Sequence, residues 1–130
     1  MLSKTEHIAY WVQQSALDAE RAAYMYEKND FVFALFCTHL SLEKLCKALW
    51  IKQNLANYPP RIHELKYLLA DTDIELDISQ SKFVDDIQRY QIEGRYPDYK
   101  LLIYKYTTQE LAAQLMENAH KLKQCLVEKI

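Results

Sequence analysis

The strongest polar pattern in the sequence is a histidine, a glutamate and a lysine at four-residue intervals. His39, Glu43 and Lys47 would share one stripe of a helix, because residues four apart are neighbours on a helix surface. Such a stripe can hold an anion on the lysine while the carboxylate of Glu43 fixes the lysine head group. The same spacing also suits an i, i+4 ion pair that supports the helix by about 0.2–0.5 kcal/mol. Both interpretations stay open at this point.

A second candidate for anion binding is an arginine in a stretch that interrupts the helical pattern. Arg95 directly follows the only glycine of the chain and precedes two tyrosines, Tyr96 and Tyr99. In a cleft shared with the helical stripe, Lys47 and Arg95 would contact phosphates, and the tyrosines would stack on a base. Alternatively, Arg95 pins this stretch to the rest of the fold through backbone carbonyls or an acidic side chain.

Composition excludes several kinds of chemistry. One glycine cannot build a phosphate-binding or dinucleotide-binding loop. The four histidines form no i, i+4 pair and the three cysteines form no CxxC pair, so the sequence predicts neither a metal nor a cofactor. A formal net charge of -2 gives no overall attraction to nucleic acid or to an anionic membrane, and no apolar run approaches a membrane span. We therefore expect a cytoplasmic protein.

Apolar residues recur at helical spacing along most of the chain, and chain breakers are few. The sequence predicts an all-α single domain over residues 1–130, folded as an antiparallel up-and-down bundle of four to five helices. Residues 71–77 are predicted as a loop and residues 95–106 as irregular, and the only glycine is expected to end the fourth helix. The predicted helices cover residues 3–28, 30–55, 61–70 and 79–92, and a last one runs from a cap at Thr107 or Thr108 to near the C-terminus.

The string LEKLCKAL at residues 42–49 resembles the EKxxKAL centre of the second helix in HEPN domains. Trp11 and Asp18 in the first helix, His63 before a leucine pair, and the Arg-Tyr-Pro string at residues 95–97 follow the same family order. The resemblance covers nearly the whole chain. It implies a bundle of four or five helices, usually a dimer, found in prokaryotic cells beside minimal nucleotidyltransferases or in toxin–antitoxin pairs.

The resemblance implies either ribonuclease activity or a binding role without catalysis. The ribonuclease motif is absent from this sequence. Ribonuclease members use an arginine followed after four to six residues by a histidine, and neither Arg89 nor Arg95 has a histidine in that window. Arg61 and His63 are only two residues apart. No catalytic residue is therefore transferred to this chain, although a ribonuclease that uses a different histidine, His39 or His63, stays an alternative.

The leading hypothesis is a non-catalytic module that binds a nucleotide, an RNA or a protein. We expect it to form a homodimer and not to associate with a membrane. The expected protein partner is a minimal nucleotidyltransferase. Lys47 and Arg95 are the expected anion contacts. A dimerising scaffold without a small ligand is the remaining alternative.

Overall fold

The computed structural model describes residues 2–93 and 102–130. Within these two ranges the chain is all-helical and contains no strand, which confirms the predicted fold class. No helix in them is long and apolar enough to cross a membrane. The helices are α1 (Lys4–Glu27), α2 (Phe31–Gln53), α3 (Leu65–Ala70), α4 (Ile78–Glu93), α5 (Leu102–Tyr106) and α6 (Gln109–Lys129).

Local capping signals determine where the long helices begin. The Ser3 hydroxyl accepts from the backbone N–H of Glu6 at 3.1 Å, and the Glu6 carboxylate accepts from the backbone N–H of Ser3 at 3.2 Å. The side chains of Asp30 and Thr108 each accept from a backbone N–H in the first turn of α2 and α6. Because these caps depend only on neighbouring residues, the predicted starts of all three helices are confirmed.

One predicted boundary is wrong. The third helix was expected over residues 61–70 and begins only at Leu65. The Gln88 side chain explains this, since it accepts from the backbone N–H of Leu65 and donates to the carbonyl of His63, both at 3.0 Å. These tertiary bonds hold the preceding residues in a non-helical conformation. The second helix ends at Gln53, close to its predicted end near residue 55.

The stretch predicted as irregular contains a helix. Helix α5 occupies the last five residues of the range 95–106. Ile103 anchors it because this side chain is buried in the core, and the Thr107 hydroxyl closes the helix end by donating to the Ile103 carbonyl. The expected helix end at Gly94 lies outside the described residues.

Helix α2 is the centre of the fold. Four of its five leucines are almost completely buried, with Leu42 and Leu49 among the least exposed side chains. Helices α1, α4 and α6 pack around it. Helix α1 runs antiparallel to α2, since Lys4 contacts the end of α2 and Ala22 lies near its start. The arrangement leaves a groove between α1 and α6 and a cleft between α3 and α4.

Candidate functional site

Glu43 is the centre of a buried polar network. Only 4% of this residue is exposed, yet its carboxylate accepts from Lys47 Nζ at 3.1 Å and contacts His63 Nδ1 at 3.1 Å through both oxygens. His39 Nδ1 lies 3.9 Å from Glu43 Oε1. The structure therefore brings together the three residues of the predicted stripe and adds His63, which lies 20 residues further along the chain.

His39 is a neutral member of this network. Its side chain is fully buried, and neither ring nitrogen has a hydrogen-bond partner within the described ranges. Burial lowers its pKa below the usual value, because a charged imidazole would lose its hydration. At neutral pH the cations around Glu43 are therefore contributed by other residues.

Lys47 is held between a carboxylate and an aromatic ring. Besides its bond to Glu43, its ammonium lies 5.2 Å from the centre of the Trp11 ring, in a cation–π contact. Only 7% of the residue is exposed. The ion-pair interpretation of the sequence pattern matches this geometry. The role of Lys47 as an anion contact stays a prediction.

His63 is the exposed end of the network. About half of its side chain (51%) is accessible, while its partner Glu43 is buried. Because Nδ1 faces Glu43, the carboxylate fixes the ring orientation and leaves Nε2 as the nitrogen that can meet a ligand. Gln88 holds the backbone of the same residue through its carbonyl. A buried carboxylate and a clamped backbone thus position one imidazole at the surface.

This imidazole lies at a cleft between the start of α3 and the middle of α4, with a volume of about 420 Å³. Ile62 and Val84 form its apolar lining, and Lys66 forms an ion pair with Asp85 at 2.8 Å in the same cleft. Gln91 also lines it and is only 8% exposed. Among the described residues its side-chain amide has no hydrogen-bond partner, so a donor and an acceptor are available there.

The other predicted site residues are Arg95, Tyr96 and Tyr99, and these lie outside the described residues. Within residues 2–93 and 102–130, no three His, Cys, Asp or Glu side chains are grouped so that they could hold a metal ion.

Sequence reasoning missed the two glutamines of this cleft. Gln88 and Gln91 are three residues apart on α4, a spacing that places them on one helical face. That spacing was the available signal. The spacing alone did not indicate a binding role for the two amides, because the backbone groups and the cavity that they contact belong to a different part of the chain.

Comparison with known proteins identifies the family. The family model for the HEPN domain matches residues 8–130. The fold is similar to TT1696 from Thermus thermophilus, with a TM-score of 0.78, 19% identity, and coverage of 95% of this chain and 98% of that chain. It is also similar to ST0689, described as an archaeal HEPN homologue, with a TM-score of 0.73, 22% identity, and coverage of 93% and 95%. A search of curated proteins gives no significant match. Since the family model spans most of the sequence, the chain belongs to the HEPN domain family.

Proposed function

We propose that this HEPN domain is a non-catalytic nucleotide-binding module whose site is the cleft between α3 and α4. One observation carries the proposal. The buried Glu43 holds His63 at the edge of a cleft that also contains the amide of Gln91, which has no hydrogen-bond partner among the described residues. A few polar groups held in fixed positions within a concavity are typical of small-molecule sites.

Gln91 supports recognition of a base. A side-chain amide offers one acceptor and two donor protons, and this pair of functions matches the edge of a nucleobase, as when glutamine binds adenine. Ile62 and Val84 give the cleft an apolar surface against which a flat ring would pack. The base would therefore lie along α4.

Cations near the same cleft support recognition of phosphate. The side chains of Lys66 and its partner Asp85 are 45% and 67% exposed, so their ion pair is weak and a phosphate can replace the carboxylate. We assign the further anion contacts to Arg95 and Lys47, and stacking on the base to Tyr96 and Tyr99. For Lys47, the phosphate would have to compete with Glu43 for the ammonium.

The proposal includes a protein partner and a second copy of the chain. HEPN membership supports a minimal nucleotidyltransferase as the partner, in a cytoplasmic toxin–antitoxin setting, and supports a homodimer. The surface also carries exposed tyrosines, a residue type enriched in protein interfaces. Among the described residues these are Tyr10, Tyr24, Tyr58, Tyr67, Tyr104 and Tyr106.

Thermal unfolding against a panel of nucleotides tests the binding function. A bound nucleotide stabilises the native state by mass action, so the melting temperature should rise with nucleotide concentration. Gln91→Ala, Arg95→Ala and Lys47→Ala should each reduce this rise. Gln13→Ala, at an exposed position of α1, is the matched control and should keep it. If no nucleotide shifts the melting temperature of the unmodified protein, the nucleotide-binding function is wrong.

A metal-independent ribonuclease is the second candidate, because the 3.1 Å contact between Glu43 and His63 has the form of a catalytic dyad. A buried carboxylate that orients an imidazole leaves Nε2 as a general base. Incubation with RNA tests this alternative. Cleavage that His63→Ala abolishes and that exposed His120→Ala preserves would support it, whereas intact RNA would exclude it.

A further inference from the structure

A second concavity lies on the other side of the central helix. Helices α1 and α6 both pack on α2 and leave between them a groove of about 620 Å³. Its surface is mainly apolar, and its volume lies within the range of small-molecule sites. The apolar lining consists of Val12, Ala16, Ala19, Leu45 and Val127.

The floor of the groove satisfies its own polar groups. The Ser15 hydroxyl donates to the carbonyl of Ser41 at 2.7 Å, and the Ser41 hydroxyl donates to the carbonyl of Ser15 at 2.9 Å. Both hydroxyl protons are therefore used between α1 and α2. The floor therefore needs no hydrogen bond from a ligand, and a bound ligand can be apolar along most of its length.

One cation in this groove has no partner. Lys123 of α6 lines it and is partly buried, and its ammonium has no ion pair or hydrogen bond with any residue in the described ranges. Burial lowers the pKa of Lys123, while the negative charge of Asp18 opposes this effect. An occupant with a negative head group would compensate this charge.

The acidic residue that influences Lys123 is already engaged. Asp18 is buried and binds Arg21 at 2.8 Å as well as Lys44, so two cations compete for its single charge. Glu128 is the other carboxylate at the groove, and in the described part of the chain it forms no ion pair with Lys123. The carboxylate of Asp18 therefore offsets the burial of Lys123 through space, while its own ion pairs are with Arg21 and Lys44.

We propose that this groove binds an aliphatic monocarboxylate, with the carboxylate on Lys123 and the hydrocarbon chain against Val12, Leu45 and Val127. A monoanion fits because, among the described residues, a single unpaired cation lines the groove, and Glu128 would repel a more highly charged ligand such as a nucleotide. The stretch of α1 from Val12 to Ala19 spans roughly 10 Å, which suits a chain of medium length. This site is separate from the nucleotide cleft and does not depend on it.

Isothermal titration calorimetry with decanoate tests the proposal. Decanoate should bind the unmodified protein, whereas butyrate lacks the tail and decan-1-ol lacks the charge, so both should bind at least about tenfold more weakly. Lys123→Met should lower the affinity for decanoate about tenfold or more, because a charge-assisted contact is lost. Lys121→Met, at an exposed lysine of the same helix, should leave the affinity unchanged.

A second variant tests the tail position. Ala16 is exposed at the wall of the groove, so Ala16→Trp should fill the groove without disturbing the core and should also abolish binding. The proposal is overturned if decanoate does not bind, if decan-1-ol binds as tightly, or if Lys123→Met binds decanoate normally. It is also overturned if sedimentation shows a dimer that Ala16→Trp dissociates, since the groove would then be a face between two copies.

Discussion

The two concavities of this domain differ in whether their buried charge has a partner of opposite sign. At the cleft between α3 and α4, the buried carboxylate of Glu43 is compensated by Lys47 and faces His63. In the groove between α1 and α6, Lys123 has no described partner. A buried network whose charges are paired holds its members in fixed positions and is costly to break, whereas a charge without a partner holds no other group in place. The Glu43 network at the cleft therefore holds the start of α3 in place. In the groove, the charge of Lys123 is available for a ligand.

Removing the charge of Glu43 should have the largest effect. Glu43→Gln leaves the ammonium of Lys47 buried without its carboxylate, and breaking a buried ion pair in this way costs about 3–5 kcal/mol. The free energy of unfolding, measured with urea, should fall by this amount. Glu75→Gln, at an exposed glutamate, is the control and should change it by less than about 0.5 kcal/mol. Equal effects of the two substitutions would contradict the stabilising role of the network.

Removing the clamp on α3 should have an intermediate effect. Gln88→Ala leaves the backbone N–H of Leu65 and the carbonyl of His63 without their partner, at a cost of about 1–3 kcal/mol. Hydrogen exchange should become faster at the start of α3 and stay unchanged in α1. The exposed Gln13→Ala variant should preserve both rates. Unchanged exchange at Leu65 in the Gln88 variant would show that α3 begins there for another reason.

Acidification should produce a smaller, gradual effect through His39. Burial lowers its pKa in the folded protein, so below about pH 6.5 the unfolded chain takes up a proton that the folded chain does not. The free energy of unfolding should therefore decrease as the pH falls below about 6.5, by at most about 1.4 kcal/mol per pH unit for this one group. His39→Leu should flatten this dependence between about pH 5 and 6.5, and exposed His120→Ala should not.

Much of the fold could be predicted from neighbouring residues. The caps at Ser3, Asp30 and Thr108 act within one helical turn, and the apolar stripe of each long helix repeats over many turns. The pairing of Glu43 with Lys47 was also accessible, since four residues separate the two on one helix. Such features depend on local geometry alone.

The features that sequence reasoning missed depend on contacts between distant segments. Gln88 meets the backbone near His63 across 25 residues, and this contact delays the start of α3. Helix α5 follows from the burial of Ile103 more than from a periodic pattern, because five residues are too short to show one. The partial burial of Lys123 likewise results from the packing of α1 and α6 on α2.

The most direct test of the nucleotide-binding proposal is a titration of the ¹⁵N-labelled protein with ATP, followed by amide chemical shifts. We expect shift changes in residues 62–66 and 84–91, around the cleft, and none in residues 12–19 and 120–128, around the groove. Gln91→Ala should reduce these changes. Changes confined to the groove, or no change at millimolar ATP, would contradict the assignment of nucleotide binding to the cleft.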